Sequence, residues 1–219
     1  MFRETFGIYN RNLLKIMLIG LIVVLPVSIF CFQAISYVFT DVSSEYSNLY
    51  AAFFIVINFT LLYPPFIRVT LQDLNDGESA SIKDLIMAFV NDFGLIVLFT
   101  LGLYFLALWG IGLAFIPTII SLVLLVIFPL FVDQKKITSV IKQLGRVLLK
   151  ENIFILFDLL IIISINLLVW TGISLLLNSF DNNFYVYAFT RSLINVALFP
   201  LIYIYLTIKY KSERGDFYE

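Results

Sequence analysis

Histidine does not occur in this sequence, and cysteine occurs once, at Cys31. Those absences exclude disulfides within the chain, cysteine-rich zinc sites and any catalytic triad or metal centre built on imidazole. Charge is scarce too: Asp, Glu, Lys and Arg make up 13% of the 219 residues, where a soluble domain carries about 25%. No P-loop, GxSxG, HExxH or GxGxxG signature is present. An intramembrane acid protease needs paired aspartates, and Asp158 has no evident second. The expectation is a protein without catalysis, metal, cofactor or nucleic-acid partner.

What is present is apolar. Hydrophobic residues make up 61% of the chain, with a mean hydropathy of +1.00, against about 45–50% apolar residues in a soluble domain. No water-soluble core could hide that much apolar surface, so the composition predicts an integral membrane protein. The abundance of Phe, Ile, Leu, Asn and Lys points to a bacterial, AT-rich source.

A hydrocarbon core about 30 Å thick takes about 20 helical residues to cross. Six stretches meet or approach that length: Leu13–Phe39, Leu49–Leu71, Phe93–Phe115, Pro117–Val132, Ile153–Asn178 and Phe184–Ile208. The third and fourth are joined through Trp109-Gly110-Ile111-Gly112 and Pro117, which predicts a tight hairpin. Every lysine and arginine except Arg191 then falls on one side, which the positive-inside rule makes cytoplasmic. Asp41, Glu45 and Asp181 lie in the outer loops. The expected arrangement is all-α: a six-helix bundle of the bacterial cytoplasmic membrane, multi-pass, with N-terminus and C-terminus inside. The first apolar run is too long for a cleaved signal peptide and no small-x-small site follows it. Phe30 precedes Cys31 where a lipoprotein signal would have a small residue, and the sequon at Asn58 lies mid-span.

One phrase recurs. "LYPPFIR", "IFPLFVD" and "LFPLIYI" align without a gap and superimpose Pro64, Pro129 and Pro200. Two cytoplasmic loops carry amphipathic stripes: Ile82, Leu85, Ile86, Phe89 and Val90 in the first, and Ile137, Val140, Ile141, Leu144, Val147 and Leu148 in the second. Phe2, Phe6 and Tyr9 make a shorter version, and Ser81-Ile82-Lys83-Asp84 fits a capping box. Each stripe ends in a polar residue (Asn12, Asp92 or Asn152) and enters a span. The chain thus reads as one domain, 1–219, of three parallel repeats over about 1–72, 73–133 and 134–209, followed by a tail at 210–219. Chance likeness among apolar segments is the competing reading. Pro64, Pro129 and Pro200 would kink the second helix of each hairpin. Lys136, Lys142, Arg146 and Lys150 occupy the polar face of the second loop helix. That face suits anionic lipid of the inner leaflet, while the helix would also serve as a structural elbow.

Polar groups inside spans are the remaining candidates. Asp158 and Arg68 lie at similar depth near the cytoplasmic side and could pair. Arg191, about two turns from the outer end, could snorkel outward or meet Asp181. Asn58, Asn166 and Asn195 fall mid-span, where hydrogen bonds between helices explain them at about a kcal/mol or less each; a polar substrate path is the alternative.

The stretch from "FGLIVLFTLGLYF" through Pro117, Asp133, the stripe Ile137–Leu148 and Lys150 resembles the membrane domain found ahead of some bacterial glycerophosphodiester phosphodiesterases and related stand-alone proteins of unknown function. The opening "FRETFGIYNRNLLKIMLIG" is similar to the start of that family. "YPPFIRVTLQDLNDGESASIKDLIMAFVNDF" resembles the YesL-type membrane proteins as well. The resemblance implies a fold and a location, and no phosphodiesterase domain is present to carry that activity. Three roles fit: a non-catalytic accessory or scaffold protein with an unidentified protein partner, a small transporter or exporter subunit, or a protein protecting against membrane-active peptides by binding lipid or a partner.

Overall fold

A computed structural model describes residues 1–42, 45–75, 81–113, 115–132, 137–177 and 183–211. Asp133, Lys136, Asp181 and the side chain of Asn152 fall outside the described residues. Within them the chain is helical, with no strand. Helix α1 (Phe2–Arg11) leads into α2 (Leu13–Ile19), a π-helical turn over Gly20–Val24, α3 (Leu25–Tyr37) and a second π turn over Val38–Val42. Then come α4 (Ser47–Leu61), α5 (Tyr63–Leu74), α6 (Ile82–Gly110), α7 (Ile116–Ile127) with a 3-10 turn at Phe128–Phe131, α8 (Ile137–Leu177) and α9 (Phe184–Tyr210).

Five apolar helices are long enough to cross a membrane: Leu13–Val42, Ser47–Leu74, Ile82–Gly110, Ile153–Leu177 and Phe184–Tyr210. The expected fourth span is shorter. Its 12 α-helical residues and four 3-10 residues rise only about 26 Å. Large apolar side chains stand exposed along the bundle, among them Trp109, Leu168 and Leu176. Water would penalise such a surface and lipid does not.

With α5 set aside, successive helices pack side by side, α3 on α4, α4 on α6, α6 on α7, α7 on α8 and α8 on α9; α9 returns to α3 and closes a ring. Helix α5 packs against α6, α9 and the 3-10 turn. Tyr63, Pro64, Pro65, Phe66 and Ile67 are accordingly all buried.

Each proline acts differently. Pro26 lacks the N–H that would bond to Ile22, and the helix widens into the π turn just before it. Pro64 and Pro65 open α5, and α4 stops at Leu61. Pro129 sits in the 3-10 turn that ends α7. Pro200, by contrast, lies inside α9, which runs on to Tyr210 without interruption.

The junctions from amphipathic segment to span also differ. Asn12, between α1 and α2, has φ −106° and ψ 15°, and Glu151 inside α8 has φ −119° and ψ 19°. Both are local breaks from helical geometry. At Asp92 there is none, because α6 runs straight from the loop stripe through the span. The Ser81 capping box starts it: Ser81 Oγ accepts from the Asp84 N–H at 3.2 Å, and Asp84 Oδ2 accepts from the Ser81 N–H at 3.2 Å. Asn91 and Asp92 face a polar recess shared with Arg68, so polar side chains there do not force a break. In α1 the buried residues are Thr5 and Ile8, while Phe2 and Phe6 are exposed. In α8 the stripe buries Val140 and Leu144 and leaves Ile137 and Ile141 exposed.

The hairpin between α6 and α7 is tight. Three turn hydrogen bonds close it, Ile111 to Leu108, Gly112 to Trp109 and Leu113 to Gly110. Thr118 Oγ1 donates to the Ala107 carbonyl at 2.6 Å. Gly110 is needed for approach: a Cβ there would lie 2.5 Å from the Thr118 nitrogen. The left-handed turn residue is Phe115, at φ 62°.

Candidate functional site

The first proline phrase opens α5, which packs both on α9 and on the 3-10 turn that holds the second phrase. Tyr63 and Tyr203 lie against each other with ring centroids 4.2 Å apart and planes tilted by 38°, flanked by Phe59, Phe66 and Phe199. Their hydroxyls satisfy carbonyls that the helix breaks release. Val126 lies in the last turn of α7, where carbonyls lack intrahelical partners and the chain passes into the 3-10 turn that holds Pro129. Tyr63 Oη donates to the Val126 carbonyl instead, at 2.8 Å. Phe59 lies in the last turn of α4, where carbonyls lack intrahelical partners, and Tyr203 Oη donates to it at 2.8 Å. The result is a filled aromatic layer.

On the side of this layer where α9 begins lies a cavity of about 320 Å³. Its walls are mainly apolar, from Phe54, Leu122, Ile163 and Trp170 among others, and it ends on Phe59, Val126 and Phe199. Four of the sequence candidates line it: Asn58, Asn166, Arg191 and Asn195. Arg191 is only 5% exposed, so neither outward snorkelling nor a place at the surface describes it. Its Nη2 donates to Asn166 Oδ1. The Asn166 amide is held in that orientation by donating from Nδ2 to the Ile162 carbonyl at 2.8 Å. Ser28 Oγ donates to Asn58 Oδ1 at 3.1 Å and accepts from Asn195 Nδ2 at 3.4 Å. Two buried atoms here have no hydrogen-bond partner, Arg191 Nη1 and Asn195 Oδ1.

Asp158 belongs to a different cluster, beyond the aromatic layer near the C-terminal end of α9. It is 3% exposed, and its partner is Lys209 rather than Arg68. Lys209 Nζ donates to Asp158 Oδ2 at 2.8 Å, Tyr210 Oη donates to the same oxygen at 2.5 Å, and Tyr205 Oη donates to Oδ1 at 3.2 Å. The ammonium also lies over the rings of Phe154, Tyr205 and Tyr210. Arg68 is exposed and lines the polar recess with Asn91, Asp92 and Lys211. Lys142, Arg146 and Lys150 are exposed on α8.

Sequence reasoning missed Lys209, Tyr205, Tyr210 and Ser28. Lys209 was within reach of it, since α8 and α9 are successive helices and Asp158 and Lys209 lie near the same end of that pair. It also missed Asp73, which ties the Asn12 junction to α5: Asp73 Oδ1 accepts from Asn12 Nδ2 at 2.7 Å, and its carboxylate pairs with Arg11. Among the described residues no cluster of three or more His, Cys, Asp or Glu is placed to hold a metal ion. Comparison of the chain with protein-family models, curated proteins and solved structures gave no match in any of the three.

Proposed function

We propose that this chain is a non-catalytic accessory protein of the bacterial cytoplasmic membrane, built as three parallel hairpins of six spans with both termini inside. The observation that carries the accessory role is the aromatic layer at Tyr63 and Tyr203. It separates the Arg191 cavity from the Asp158 cluster, so the polar groups form two pockets of hydrogen bonds rather than one line across the bundle. Asn58, Ser28 and Asn195 bond one another, Asn166 bonds Arg191, and Asp158 bonds Lys209. That pattern supports structural bonding between helices over a substrate path. The short fourth helix supports six spans because it forms the return arm of the Gly110 hairpin. Its 3-10 end packs on α5, which opens with the first proline phrase and packs in turn on α9; that succession supports a repeated unit.

Two experiments test this. In a Cys31→Ser background, Glu45→Cys should react with an impermeant maleimide from outside intact cells, and Thr138→Cys only after lysis. Labelling of Thr138→Cys in intact cells would overturn the orientation. Purified protein in liposomes should raise ion and sugar flux no further than protein-free liposomes do. Flux that Tyr63→Ala or Arg191→Gln changes would instead establish transport.

A further inference from the structure

Arg191 is a cation held in an apolar cavity with one neutral amide as its hydrogen-bond partner among the described residues. A buried charge is costly unless an opposite charge and further hydrogen bonds compensate it. Among the described residues nothing in the wall supplies the opposite charge, since its remaining hydroxyl and amide side chains are Asn58, Thr60 and Asn195 beside Asn166. The guanidinium keeps Nη1 free, and one turn further along α9 the Asn195 amide keeps Oδ1 free. Turning that amide over would exchange which of its atoms is left, not remove the vacancy.

We propose that the cavity binds a single-chain fatty carboxylate, with the head group accepting from Arg191 Nη1 and the aliphatic chain along α7 and α8. Charge complementarity selects an anion, and the apolar walls at Leu122, Ile163 and Trp170 select a hydrocarbon tail. Size selects one chain, because about 320 Å³ falls at the lower end of the roughly 300–1,000 Å³ of ligand pockets. The number of free polar atoms selects a carboxylate over a phosphate. Arg191 Nη1 is the free donor there among the described residues, and a phosphate would bury more oxygens without partners than a carboxylate does. Entry would be lateral, from the lipid that surrounds α8: Ile163 and Trp170 on that wall are 42% and 44% exposed.

The chain carries its own reporter. Trp170 lines the cavity, and the sequence has one other tryptophan, the exposed Trp109. Trp109→Phe protein in phosphatidylcholine vesicles, at alkaline pH, is titrated with dibromostearic acid, its methyl ester or dibrominated phosphatidylglycerol, and quenching of Trp170 is read. The acid should quench saturably, the ester with about tenfold weaker half-saturation, as expected for loss of a charge-assisted hydrogen bond. Arg191→Gln should shift the acid curve by a similar factor and leave the ester curve in place. Leu122→Phe, which fills the cavity while keeping Arg191, should reduce the saturable amplitude for the acid. Equal, non-saturating quenching by acid and ester would mean bulk partition and overturn the site. Tighter quenching by the phosphatidylglycerol would overturn the single-chain carboxylate. The acid–ester comparison on unaltered cavity residues decides the matter even if Arg191→Gln fails to fold.

Discussion

Tyr63 joins two problems at one atom. Its hydroxyl is buried, and the carbonyl it meets lies in the last turn of α7, where the chain passes into the 3-10 turn that holds Pro129. Tyr63→Phe would keep the ring against Tyr203 but leave the Val126 carbonyl unsatisfied in a dry layer. The expected cost is about 1–3 kcal/mol, measured as a shift in the midpoint of SDS-induced unfolding in mixed micelles. Gly110 makes a sharper demand, because the α7 nitrogen of Thr118 occupies the place of a Cβ. Gly110→Ala should force the two helices apart and cost about 1–3 kcal/mol on the same scale. Gly112→Ala, where the nearest neighbour of a Cβ is 3.6 Å away, should be tolerated. The sequence pointed to both glycines as part of a tight hairpin turn. The structure finds ordinary φ at each and the left-handed residue at Phe115, so Gly110 is needed for lack of volume, not for φ.

Between elements, the Asp158–Lys209 pair fastens α8 to α9. Both groups are largely removed from solvent, with Asp158 at 3% side-chain exposure and Lys209 at 17%, so neither charge is well compensated without the other. Lys209→Met alone should cost about 3–5 kcal/mol, because it strands the carboxylate. Asp158→Leu with Lys209→Met should recover most of that loss, since an apolar pair of similar volume needs no desolvation. A double-mutant cycle on unfolding free energy checks it, and additive single effects would remove the pairing. This pair also shows where sequence reading stopped. Position along a helix was legible, since counting residues places Asp158, Arg68 and Arg191 along theirs. Rotation about the helix axis was not. A helix apolar all round has no polar face to fix its azimuth, so the sequence left Asp158 free to pair with Arg68, whereas it faces Lys209 on α9. The Ser81 capping box and the Gly110 hairpin were legible because both are local in sequence. By contrast, the Ser28–Asn58–Asn195 bonds join residues up to 167 positions apart.

At the scale of the molecule the bundle is unevenly held. Helices Ser47–Leu74 and Phe184–Tyr210 bury 61% of their most apolar window, and Ile153–Leu177 buries 17%. The first two contribute the aromatic layer, and the third lies against lipid and borders the cavity. In a bilayer an exposed leucine has lipid around it before and after folding, so its truncation changes little. Leu168, 72% exposed on α8, should therefore accept alanine within about 0.5 kcal/mol. Phe66, buried against Tyr203, has no such freedom. The transfer term is small because the unfolded reference also sits in lipid. The cavity term remains, and with roughly 100 Å³ of side chain removed it amounts to about 2 kcal/mol at about 24 cal/mol per Å³. Phe66→Ala and Leu168→Ala, compared in one lipid or micelle composition, measure that difference directly. Equal losses would mean that α8 is packed as tightly as α5, leaving no lipid-facing wall through which an amphiphile could reach Arg191.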